Sequence, residues 1–388
     1  MIFQINFIYI IVAITLVCTK IEGTDAIVYL NVGYSGSYMD VTNMDESSCK
    51  CSQQSQSFSG TFAPLNEELS VHFRGPLRLL QFGVYYPNSG TAALKKREEA
   101  ESHEHVKRDE TSAQVTSTTY VSNAKTSDYT ASSISPASPG ASKQAAGGTS
   151  SRSWSQSSYF SPGSGSNVVF LNHNGPWSQC FGNGLAYCAS NGVDAANNSE
   201  VLGDVTVGSN CEFIIFSGSE CSGNDCGYYR NSGIPAYHGF GGADKMFVFE
   251  FSMPDQTSTS ATQNDNMPAI WLLNAKIPRT MQYGNDECSC WSSGCGEFDI
   301  FEIISDGATD LTNQIHDREG SVGGGGGSTA TLSRPTSGSM KAAVIFNDLD
   351  QTIHIVKLPD SATFGGTIDS STVSQWLKVS GDQVKLAS

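Results

Sequence analysis

Seven short apolar runs set the terms for this chain: NVVFLNH, CEFIIFSG, KMFVFEFSMP, MPAIWLLN, EFDIFEII, AAVIFND and TIHIVKLP, all between residues 167 and 359. Each is about one β-strand long, turn residues separate them, and helical periodicity is nearly absent. The pattern predicts an all-β domain over 167–388, a β-sandwich or jelly roll. Upstream, residues 24–92 alternate in the same manner (AIVYLNVGYSGSYMDV, then LSVHFRGPLRLLQFGVYYP) and predict a small strand-rich module holding Cys49 and Cys51. Between the two, residues 93–166 open on the charge block LKKREEAESHEHVKRDE and continue in Ser, Thr, Ala, Gly and Pro. Such a composition buries too little apolar surface to offset chain entropy and predicts a disordered linker. Its dibasic pairs, Lys96-Arg97 and Lys107-Arg108, are candidate processing sites.

Residues 1–23 are apolar but too short for a membrane span, and read as a secretory signal. No second run of that kind follows, so the mature chain is expected to be secreted, soluble and without a membrane anchor. Of the 11 cysteines, Cys18 falls in the signal. The even remainder predicts about five disulfides, with the pairing open. The two Cys-x-Cys pairs have the wrong spacing for structural zinc, so no metal is expected there. A net charge of −16 excludes nucleic acid and anionic membranes as natural partners and leaves a neutral polymer such as a polysaccharide. Asn197-Asn198-Ser199 is a glycosylation sequon in a polar loop.

The run GCGEFDIFEII carries the chemistry. Strand alternation puts Glu297 and Asp299 on one face and Phe298 and Ile300 on the other. Strict alternation would then send Glu302 into the core, where an unpaired carboxylate costs several kcal/mol. A β-bulge at Ile300-Phe301 restores the phase and predicts all three acids on one face. Mutual repulsion and partial desolvation raise at least one pKa. Glycoside hydrolysis uses that split: an ionised carboxylate attacks the anomeric carbon while a protonated one donates to the leaving oxygen. Two Glu side chains on one strand suit the short separation of a retaining enzyme better than the wider inverting gap. A calcium site is the competing reading, although calcium ligands usually sit in Asp/Asn/Gly loops rather than an apolar strand.

CGEFDIFEI resembles the E-x-D-x-x-E signature of glycoside hydrolase family 16, in the bulged form of laminarinase-type β-1,3-glucanases. MPAIWLLN and FVFEFSMP resemble the strands that precede that signature, and the whole layout is similar to fungal cell-wall glycosidases of the Tos type. The resemblance implies a concanavalin-like jelly roll with a glycan cleft. Glu297 matches the nucleophile, Asp299 the assisting acid and Glu302 the acid/base. Trp271 matches an aromatic of the upstream strand that can stack on a sugar ring, and His316 matches a histidine on the following strand, within reach of Asp299 or substrate. The insertion AKIPRTMQYGNDECSCWSSGCG reads as a disulfide-pinned loop at the cleft rim, with Trp291 a subsite platform. The reading is a secreted enzyme hydrolysing cell-wall β-1,3-glucan internally. Glucan transglycosylation and a non-catalytic, carbohydrate-binding wall protein are the alternatives. No cofactor is expected, and structural calcium stays open.

Overall fold

The structure is a computed structural model that describes residues 25–88, 152–230, 233–256, 264–319 and 326–386. The signal segment 1–23, both dibasic pairs and most of the expected linker lie outside the described residues. The first segment forms β1 (Ala26–Leu30), β2 (Gly36–Asp45), β3 (Lys50–Phe58), β4 (Leu69–Arg74) and β5 (Arg78–Pro87).

These strands are built into two large sheets shared with the rest of the chain. One sheet runs Thr367–Ile368, Trp154–Ser161, β5, Lys245–Ser252, Met340–Asn347, Thr352–Leu358, β1 and Asp382–Lys385. The other runs Ala195–Ala196, Ala186–Cys188, Val168–Asn172, Glu212–Ser217, β4, Ala269–Asn274, Glu297–Glu302, Asp310–His316 and Leu332–Ser333. Within these sheets the expected boundary between a module at 24–92 and a sandwich at 167–388 does not exist. The reason lies in β4, LSVHFR: it is buried on both faces and paired on both edges, and a small free-standing module has no neighbours to supply that. The expected end of the linker at 166 also moves. Within SRSWSQSSYFS, Phe160 enters the central core and Trp154 packs on the opposite, helix-covered face, and Trp154–Ser161 pairs with β5.

The inner faces of both sheets close on one core. Ile27, Phe82, Phe249 and Phe346 from the first sheet meet Phe73, Phe213, Ile270, Phe298 and Ile315 from the second. An all-β sandwich is therefore the fold, as the seven runs predict. The outer face of the first sheet is covered by helix α2 (Ser370–Trp376), whose Val373 and Trp376 pack on Tyr85, Met246, Val248 and Ile345. The outer face of the second sheet carries loops and one short helix, whose Ile277 packs with Trp271 and Leu273.

The hairpin β2–β3 lies over those loops and is stapled to them. Cys49 bonds Cys180 and Cys51 bonds Cys288, while Cys221–Cys226 and Cys290–Cys295 close short loops. Four disulfides form rather than five, because Cys188 and Cys211 remain thiols. Cys188 sits against Asn172 in the sandwich, where burial pushes its thiol up to about 12. Lys245 ties the two segments from inside. Fully buried, it donates to the carbonyls of Leu65 (2.7 Å), Glu67 (3.2 Å) and Phe240 (3.1 Å), and burial still lowers it to about 7.

Candidate active site on the outer face of the second sheet

The strand Glu297–Glu302 carries the expected bulge. Against Asp310–His316, Asp299 pairs with Gln314 and Glu302 with Thr312; against Ala269–Asn274, Asp299 pairs with Trp271 and Phe301 with Ile270. One residue is extra on the acidic strand in both ladders, at Ile300-Phe301. Phe298, Ile300, Phe301 and Ile303 accordingly all enter the core, while Glu297, Asp299 and Glu302 line one cleft of about 430 Å³. The strand enters through Gly296 at φ +107°, a conformation L side chains rarely adopt, where a Cβ would also press on Leu65.

His316, paired with Glu297 across the ladder, bonds Asp299 Oδ2 through Nε2 at 3.0 Å. That hydrogen bond, opposed by burial, holds the imidazole above its ordinary range. Burial and then the charge of Asp299 push Glu297 up to about 8, against the pull of the Trp291 hydrogen bond and of His316. Glu302 is raised by the same two causes and drawn back by Arg74, whose Nη2 lies 3.3 Å from its Oε1. Both glutamates are thus raised on one face, by burial first and by the neighbouring Asp299 second.

The rim loop is as expected, and more closely tied to the acids. The strand Ala269–Asn274 leads through helix α1 (Lys276–Thr280) to Cys288 and Cys290, both disulfide-bonded. Lys276 Nζ meets Asp40 Oδ2 of β2 at 2.6 Å, and Ser293 Oγ accepts the Met39 amide at 2.9 Å. On this pinned loop Trp291 is 45 % exposed, and its indole N–H donates to Glu297 Oε2. Trp271 lines the cleft floor but is only 5 % exposed. His72 stacks on it at 5.0 Å and the Arg74 guanidinium lies 5.8 Å over its ring, which leaves little ring surface for a sugar.

The sequence reasoning passed over β4, which delivers Ser70, His72 and Arg74 to this same face. Their signal is the one read in EFDIFE: polar residues at every second position of an otherwise apolar strand. His72, buried and kept neutral by that burial, donates from Nδ1 to Glu212 Oε1 at 2.9 Å. Burial works against the Glu212 carboxylate, but His72, His173 and the Tyr283 hydroxyl outweigh it and hold the group at about 2. A fixed negative charge thus sits behind the cleft wall. Among the described residues one further cluster has metal-ligand chemistry, Cys221, Asp225, Cys226 and His238, but its two sulfurs are bonded to each other. Asn197 of the sequon is exposed. No helix among the described residues is long and apolar enough to cross a membrane.

Residues 152–376 match the family model described as "Cell wall protein YJL171C/Tos1, C-terminal", and residues 25–87 match its N-terminal counterpart. The chain belongs to the Tos1-type cell wall protein family. Family members elsewhere are similar along nearly the whole chain. A Saccharomyces cerevisiae protein named "Probable circularly permuted 1,3-beta-glucanase TOS1" is 50% identical, covering 94% of this chain and 92% of its own. The Candida albicans protein of the same name is 42% identical over 92% and 91%. A Schizosaccharomyces pombe relative, also named a probable circularly permuted 1,3-beta-glucanase, is 37% identical over 93% and 92%. No solved structure matches the chain. The two Tos1 family models meet the two segments that interleave in the sheets, so the family's N-terminal part supplies β4 and Arg74 to the acidic face.

Proposed function

We propose that this Tos1-type protein is a secreted glycoside hydrolase that cuts cell-wall β-1,3-glucan internally, with retention, through a covalent glycosyl intermediate. The observation that carries the reading is the bulge, which places Glu297, Asp299 and Glu302 in one cleft with His316 bonded to the middle acid. The relatives' names point to the same substrate, and the interleaving of 25–88 among later strands is what a permuted chain would show.

In the proposed reaction Glu297 attacks the anomeric carbon as a carboxylate. The glycosidic C–O bond breaks, the leaving oxygen takes the proton of Glu302, and a glycosyl ester forms on Glu297. Glu302 then draws a proton from water as that water attacks the ester, which regenerates both acids. Asp299, held by His316, stands beside the centre that becomes positive in the transition state. Attack needs the proton on Glu302, whereas the bond from Arg74 favours its ionised form. The reactive form is the one with Glu297 ionised and Glu302 protonated.

Arg74→Met follows from that balance. Losing the guanidinium raises Glu302 further, so the alkaline limb of the kcat/KM profile moves to higher pH. A profile that stays put or moves to lower pH rules out Glu302 as the proton donor.

Incubation with β-1,3-gluco-oligosaccharides, with products sized and the new reducing end followed by NMR, tests the function itself. Shorter chains whose new end first appears as the β anomer are expected. Longer chains would make the protein a transglycosylase, the α anomer would remove the covalent intermediate, and binding without products would leave a carbohydrate-binding wall protein.

A further inference from the structure

Among the described residues only three aromatic side chains are exposed: Trp177 (68 %), Tyr283 (61 %) and Trp291 (45 %). All three line two neighbouring cavities. The acidic cleft contains Trp291 and Tyr283; a second cavity of about 390 Å³ contains Tyr283 and Trp177, with His173, Phe181 and Arg230. Gln282 and Tyr283 belong to both, so the cavities adjoin.

The shared wall is preorganised. The Tyr283 hydroxyl donates to Glu212 Oε2 at 2.6 Å, so one end of the side chain is fixed while the ring stays open to solvent. Gln282 Nε2 donates to Glu212 Oε1 at 3.0 Å, its Oε1 meets His173 Nε2 at 2.8 Å, and His173 packs edge-on against the Tyr283 ring. Beyond it, Trp177 projects from a small hairpin, Trp177–Ser178 with Gly182–Asn183, that is held at its turn. Cys180 is bonded to Cys49, and Arg230 donates to the carbonyls of Phe181 (3.0 Å) and Gly182 (2.7 Å). A large apolar ring fixed in water by a disulfide and a buried arginine has no packing role to account for it. A pyranose ring offers a flat C–H face that suits such a surface, and its hydroxyls suit the polar groups between.

We infer that the second cavity is a distal glucan-binding subsite. A chain whose scissile bond lies at Glu297 and Glu302 passes over Tyr283 and rests a further sugar on Trp177. This rests on the glucan-cleaving reading and adds the direction the chain takes and a requirement for length. Trp177 touches only distant sugars, so it acts on chain length and not on the chemical step.

The test compares wild type and Trp177→Ala on β-1,3-gluco-oligosaccharides of increasing length. The ratio of kcat/KM for long over short chains should fall about 2- to 10-fold, the loss of one aromatic contact. Leu349→Ala, an exposed apolar side chain outside both cavities, should leave the ratio where it was. Calorimetric binding of the same series to Glu297→Gln, with and without Trp177→Ala, gives a readout free of turnover. Length-dependent weakening there upholds the subsite even if wild type cleaves nothing, which would sink the hydrolase reading alone. Equal effects at every length, or no binding of any chain, overturn the subsite.

Discussion

Residues 152–388 produced without 25–88 will not fold cooperatively. β4 fills the gap between Glu212–Ser217 and Ala269–Asn274, and β5 the gap between Trp154–Ser161 and Lys245–Ser252. Removing them opens four strand edges, each a row of unpaired backbone groups. Twelve residues of the central core also leave, from Ile27 and Tyr29 through Phe73 to Val84. At about 1.5–3 kcal/mol for each large apolar side chain buried, that loss exceeds the 5–15 kcal/mol by which a typical domain is stable. Lys245 would lose the carbonyls of Leu65 and Glu67 while still buried. Co-expressing 25–88 and 152–388 as separate chains should restore a thermal transition, and the pieces should migrate together on a gel until Cys49–Cys180 and Cys51–Cys288 are reduced. A cooperative transition from 152–388 alone would reinstate the two-domain reading that the sheets displace.

That prediction marks where sequence reasoning stops. A strand is a local pattern, and all seven apolar runs are strands in the structure. The bulge was legible for a similar reason: only one extra residue reconciles Glu302 with the two acids before it without burying a charge. Which strand lies beside which is a different kind of fact. β4 and Ala269–Asn274 are separated by nearly 200 residues, and nothing within LSVHFR names its neighbours. Composition misled at the linker's end for the opposite reason. Serines dominate 151–166, yet Trp154 on one face and Phe160 on the other are enough to hold a strand in a sheet whose partner is already formed.

The same gap explains the fate of the individual site residues. Glu297, Asp299 and Glu302 share one strand, where spacing and one bulge bring them together, whereas His316 on the adjacent strand was legible only through the family resemblance. Trp271 is on the neighbouring strand too, but what covers it, His72 and Arg74, comes from the far segment, so its burial could not be read. Trp291 lines the cleft from a disulfide-bonded loop. Its bond to Glu297 depends on how Cys290–Cys295 folds the loop back, which pairing rules do not supply.

Glu297→Gln should lower kcat by at least ~10⁴-fold and leave oligosaccharide affinity nearly unchanged. The amide has the shape of the carboxylate and its carbonyl still accepts the Trp291 N–H, so the cleft keeps its form and loses only the nucleophile. Glu302→Gln should be equally damaging on natural glucan but much less so on an aryl glucoside with an acidic leaving group, because such a group departs without a proton. The contrast between the two variants assigns the roles in a way that neither loss alone can. It also settles the tension in the charges, since burial and Asp299 raise Glu297 most while Arg74 favours ionised Glu302. If the activated substrate rescues Glu297→Gln instead, the roles are reversed: the proton resides functionally where the free cleft holds it, and Arg74 steadies a nucleophile at Glu302. If neither variant loses turnover, the acids brought together by the bulge are not the catalytic pair.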